Sequence, residues 1–133
     1  MADYTTAVGA PRNEVTMTTS AGVTGGDPLE VSGTGTVAKA SANTVKYVGI
    51  AGHDAASGAT VTVLAPGPIH LGVADGAITA GDLLQPSGVA SKTVKTIAVV
   101  GAPDAAGVTA TRAVIGVALT TATDGSAVRW MER

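Results

Sequence analysis

Glycine and proline fall so often along this chain that a long amphipathic helix has little room to form. The 133 residues include 18 Gly and 6 Pro. Relative to Ala, an interior Gly costs a helix about 1 kcal/mol and an interior Pro about 3 kcal/mol. The stretches in between are short and rich in Thr and Val, whose branched β-carbons favour extended backbone. Four of them alternate polar with apolar residues: Glu14-Val15-Thr16-Met17-Thr18, Leu29-Glu30-Val31, Thr60-Val61-Thr62-Val63-Leu64 and Ile69-His70-Leu71-Gly72-Val73. Val45 to Ile50 is a nearly continuous apolar run, as a central strand would be. Leu83-Leu84, Thr96 to Val100, Ala113 to Leu119 and Ala127 to Met131 complete the series, and Ala102 to Ala106 has room for one helical turn. The pattern predicts an all-β fold, a small β-barrel or sandwich of short strands.

The apolar residues are small. Of the 45% that are hydrophobic, 25 are Ala and 18 are Val; Phe is absent, and Trp130, Tyr4 and Tyr47 are the only aromatics. Such a core is thin, and a thin core in a small domain gains from oligomerisation. The length suits a single β domain, read here as 15–133. Residues 1–14, with Thr5-Thr6-Ala7-Val8-Gly9-Ala10-Pro11, have neither helical nor strand period and read as an extended N-terminal arm that a partner would hold in place.

Within the domain there is a weak internal duplication. The fifteen residues from Gly49 to Val63 align without gaps on Gly116 to Trp130 with five identities. Upstream of each copy stands a Gly-Asp pair, Gly26-Asp27 and Gly81-Asp82. Asp27 and Asp82 suit turns whose backbone their carboxylates can bond, and Gly58 and Gly125 suit turns that need positive φ. These four are read as turn-forming residues.

The chemistry-bearing residues are few. With no Cys, disulfides and thiolate metal sites are excluded. Eight Lys and Arg against ten Asp and Glu give a net charge of −2, which leaves no basic face for nucleic acid. With three aromatics, single-strand stacking platforms are excluded as well. No apolar run approaches the ~18 residues of a membrane span, and the N-terminus lacks the basic start and apolar stretch of a signal peptide. His53 and His70 are the only imidazoles. His53 reads as a solvated loop residue and His70, between Ile69 and Leu71, as facing away from the core, so that both are dispensable for folding. There is no nucleophile elbow, calcium loop or phosphate loop. The reading is a non-enzymatic module without catalytic residues, metal or cofactor, built to pack against other proteins.

The order of features resembles a known family. Gly26-Asp27-Pro28-Leu29-Glu30-Val31, then Val48-Gly49-Ile50-Ala51, Ala80-Gly81-Asp82-Leu83-Leu84, Val114-Ile115-Gly116-Val117-Ala118 and a closing Ala127-Val128-Arg129-Trp130 are similar to the small capsid decoration, or cement, proteins of tailed bacteriophages. The resemblance spans residues 15 to 131. It implies a virion protein on the outer surface of an expanded icosahedral head, made in the host cytoplasm. Its partner would be the major capsid protein, its state a homotrimer, and its task to hold the shell against the pressure of packaged DNA. It also implies that the arm lies on the capsid, which makes Tyr4, Thr5, Thr6, Val8 and Pro11 the expected contact residues. The alternatives are another virion β module, such as a tail, fibre or adhesin domain, and a small-ligand-binding β domain.

Overall fold

The structure, a computed structural model, describes residues 13–65, 69–97, 108 and 112–133. The fold is all-β, as the residue pattern predicts. Among the described residues ten strands follow one another: β1 Glu14–Thr19, β2 Pro28–Gly33, β3 Thr36–Lys39, β4 Tyr47–Ala51, β5 Thr60–Leu64, β6 Ile69–Ala74, β7 Leu83–Pro86, β8 Thr93–Thr96, β9 Gly116–Ala118 and β10 Ala127–Glu132. Val108 and Arg112 carry helical backbone in the connection between β8 and β9.

The strands close into two five-stranded barrels with one topology. In the first the order is β1-β3-β2-β4-β5, and β1 pairs with β5 to close it. In the second it is β6-β8-β7-β9-β10, closed by β6 on β10. In each barrel the first and third strands are parallel and every other pair is antiparallel. The registers correspond residue by residue. Ala51 opposite Val63 matches Ala118 opposite Trp130, and the isolated bridge Val23–Ala55 matches Ile78–Ala122.

Alternation along each strand gives each barrel its own core. Val23, Leu29, Val37, Ala51, Ala55, Val61 and Val63 fill the first, with Met17 and Val48 packed on them. Ile78, Leu84, Val94, Ala118, Ala122, Val128 and Trp130 occupy the corresponding places in the second. The one Trp fits because Gly72 lies beside it: a Cβ on Gly72 would come within 3.0 Å of Trp130 Nε1. Where the second barrel has Trp130 and Gly72 the first has Val63 and Met17, an exchange of volume that keeps the interior filled.

Some sequence expectations give way here. Thr36–Lys39 had no assigned strand, and the corresponding β8 starts at Thr93 rather than Thr96. The run Val45 to Ile50 becomes a strand only from Tyr47, with Val45 exposed. Ala113 to Leu119 contributes only Gly116–Ala118. Residues 98–100 and 102–106 lie outside the described part.

The hairpin turn before β5 has Gly58 at φ +83°, and the one before β10 has Gly125 at φ +78°, both with open space where a Cβ would be. Only the backbone conformation opposes a side chain there. Gly58→Val and Gly125→Val are each expected to cost about 1–2 kcal/mol, since β-branched residues are strained at positive φ. Urea denaturation midpoints check this; unchanged midpoints would mean that the turns can change type without cost.

Candidate interaction surfaces

Asp27 sits just before β2 and is 2% exposed. Its Oδ2 accepts the N–H of Thr24 at 2.9 Å, closing a turn, and its Oδ1 accepts the N–H of Lys92 at 2.8 Å from the other barrel. Lys92 lies at φ +64°, and its aliphatic stem runs past Gly26, where a Cβ would be 3.1 Å away. Asp82, the corresponding residue of the second barrel, accepts the N–H of Thr79 at 2.8 Å. Asp27 thus closes its turn and also links the barrels, and the second task left no mark in the sequence.

More contacts join the barrels. The Asn43 N–H donates to Gln85 Oε1 at 2.8 Å, and Gly88, at φ +76°, lies against the backbone of Ser41 and Ala42. The Tyr47 hydroxyl donates to Glu132 Oε1 at 2.5 Å, and Glu132 Oε2 lies 2.9 Å from His70 Nε2. Since an ionised carboxylate only accepts, the hydrogen of that second bond belongs to His70. Glu132 and His70 are both buried, and the His70 ring lies 5.1 Å from that of Trp130.

His70 corrects the sequence reading. It is 1% exposed, whereas Leu71 is exposed. Leu71 and Arg129 are register partners on the outer face, while His70 and Trp130 share the inner one. An imidazole can face inward because Glu132, at the end of β10, supplies a buried acceptor. His53 is not simply solvated either. Half-buried, it accepts the Thr62 N–H at Nε2, 3.1 Å, which leaves Nδ1 to donate to the Asp54 carbonyl at 2.9 Å. Among the described residues every buried side-chain polar atom has a partner, and no three His, Asp or Glu gather as metal ligands would. Tyr4, Thr5, Thr6, Val8 and Pro11 lie outside the described residues, while Glu14, at the expected end of the arm, already pairs with Leu64 in β1.

The outer faces of the two barrels differ in a way the sequence did not announce. On the first, Pro28, Ile50, Leu64 and Glu14 stand in one cross-strand row. Ile50 is 0% and Leu64 2% exposed, and both belong to the apolar cluster of the second barrel. On the second, Leu83, Val117, Met131 and Ile69 form the corresponding row. There Leu83 is 42% and Met131 39% exposed, with Val117 and Ile69 half-buried. No helix among the described residues is long and apolar enough to cross a membrane.

Comparison with known proteins fits this architecture. The crystal structure of the head fiber gp8.5 N base of bacteriophage phi29 superposes with a TM-score of 0.62 over 92% of this chain and 95% of that one, at 20% sequence identity. No curated relative matches. The model of the phage cement protein family matches residues 8–132. With both barrels, from Glu14 to Glu132, inside that match, the chain belongs to the phage cement protein family.

Proposed function

We propose that this protein decorates the exterior of an expanded icosahedral phage head, binding the major capsid protein as a homotrimer and stabilising the shell against the pressure of packaged DNA. The observation that carries the reading is the cement-family match over residues 8–132. The barrels suit the task physically. They hold each other through half-buried hydrogen bonds at Asp27, Gln85 and Glu132, so that the two barrels can act as one body. Many copies on one shell add modest contacts into a large stabilisation. Catalysis has no part in this reading. A second reading, a base from which a fibre projects, is favoured by the phi29 structure, which is itself a head-fibre base.

Attachment is assigned to the N-terminal arm through Tyr4, Thr5, Thr6, Val8 and Pro11. An extended segment can add to an exposed strand edge of the shell through main-chain hydrogen bonds. Deleting residues 2–12 removes only Asp3 and Arg12 as charges and keeps β1 whole. The truncated protein is expected to melt within a few degrees of the full chain but to occupy heads lacking the native protein far less. Occupancy of the full chain is expected to be insensitive to salt, because the arm's contacts are apolar and main-chain. Heads carrying the full chain are expected to retain their DNA on heating longer than bare heads. Equal occupancy by both forms would move the binding surface to the barrels. Loss at high salt would assign it to cations such as Lys92, Lys95 or Arg112.

A further inference from the structure

The two barrels meet asymmetrically, and each half of the contact surface recurs on the other barrel, uncovered by any of the described residues. The outer face of the first barrel, with Ile50, Leu64 and Tyr47, lies against one end of the second. That end is built from His70 at the start of β6, Pro86 at the end of β7 and Glu132 at the end of β10, all buried. In the first barrel the matching register positions hold Val15, opposite Val63 as His70 is opposite Trp130, and Val31, opposite Val37 as Pro86 is opposite Val94. Val15 is 53% and Val31 39% exposed. Among the described residues, then, the apolar end around Val15 and Val31 has no cap, and the second barrel carries the apolar row Leu83, Val117, Met131 and Ile69 that matches the capping face.

We propose that these two surfaces join successive copies of this chain head to tail. The row around Met131 in one copy caps the end of the first barrel around Val15 and Val31 in the next, repeating between chains the contact made within one. The occupant is a second copy because the geometry that fits is already present in the molecule: one barrel's outer face on another barrel's end. Apolar side chains meet on both sides, so burial of nonpolar area drives the contact. The interface is heterologous, since the two patches differ, and such interfaces close into rings or continue as filaments. The proposal rests on the cement reading only for the number three; a closed trimer would place six barrels in one ring.

The test uses the full chain without heads, so that failure to self-associate is distinguishable from failure to bind a capsid. Met131→Arg spoils the face, with Leu83→Arg as a second variant of the same face, and Val15→Arg spoils the barrel end. Sedimentation velocity and native mass spectrometry of the wild type up to high micromolar concentration are expected to show an oligomer. Each variant alone, with unchanged circular dichroism, is expected to be monomeric and to unfold at a midpoint independent of protein concentration. An equal mixture of Met131→Arg and Val15→Arg is expected to give a dimer containing one of each and nothing larger, because one intact face and one intact end remain. A monomeric wild type, variants that assemble like the wild type, or a mixture that stays monomeric would each overturn the proposal. So would a chain lacking residues 2–12 that associates when the full chain does not, since the open end would then belong to the chain's own N-terminal segment.

Discussion

Gly116→Ala is expected to lower stability by about 3 kcal/mol or more, at or beyond the upper end of what overpacking a core costs. Gly116 begins β9, opposite β10. A Cβ there would strike the carbonyl oxygen of Met131 and come within 2.6 Å of Trp130 Cε3. Neither group can yield cheaply, because the carbonyl belongs to the backbone of the facing strand and the indole is 1% exposed in the core. The first barrel carries the same constraint at Gly49, where a Cβ would strike the Leu64 carbonyl and lie 2.7 Å from Val63 Cγ1, with φ at +153°. Gly49→Ala should therefore cost a similar amount. Gly22→Ala is the control: its Cβ would meet only the Ala55 carbonyl, at an ordinary 3.8 Å, so its stability should stay within about 0.5 kcal/mol of the parent. Guanidinium denaturation followed by Trp130 fluorescence measures all three. A Gly116→Ala protein as stable as the parent would show that β9 and β10 can separate locally without loss.

The second large effect is expected at Glu132. Glu132→Ala removes the acceptor of two hydrogen bonds at once, a half-buried one from Tyr47 at 2.5 Å and a buried one from His70 at 2.9 Å. Hydrogen bonds to a charged group contribute about 1.5–3 kcal/mol each, and breaking a buried pair by deleting one member costs about 3–5 kcal/mol. A loss of about 3 kcal/mol is expected for Glu132→Ala, against about 1.5–2 kcal/mol for Tyr47→Phe, which removes a single hydroxyl. In the double variant the losses should fall short of additive, because Tyr47 and Glu132 share one bond. Tyr47 belongs to the first barrel and Glu132 to the second, so the Glu132→Ala transition should also broaden, with the two barrels unfolding less cooperatively. Full additivity would mean that the Tyr47–Glu132 bond adds nothing to stability.

The sequence showed most of the strands and little of how the barrels meet. β1 and β5 were legible because Thr alternates with Val or Met through them, and β6 and β10 because larger apolar residues alternate with other residues between turn signals. β3 was not: Thr36-Val37-Ala38-Lys39 has one large apolar side chain, Val37, and in a closed barrel a short strand can be held by backbone pairing on both sides around a single buried residue. In the two barrels Ala51 stands opposite Val63 and Ala118 opposite Trp130, each pair joining a short apolar strand to the strand after a glycine turn. Ile50 and Leu64 gave no sign that they face another barrel while Val117 and Met131 face outward, because each pair is equally apolar. His70 was misread for a related reason. In Ile69-His70-Leu71 the period shows two faces, but only the distant Glu132 decides which of them is inside.

The way each barrel closes bears on how it carries force. Glu14 faces Leu64 across antiparallel strands, and Ile69 faces Met131, so the chain enters and leaves each barrel at one edge. Tension applied through those two points pulls the strands apart at their ends. It loads the hydrogen bonds one after another, like opening a zipper, rather than all together as shear along the strands would. A molecule built this way is weak when stretched along its chain and resists best when pushed or gripped across its flanks. Load applied across the flanks is instead shared among strands that are paired on both sides.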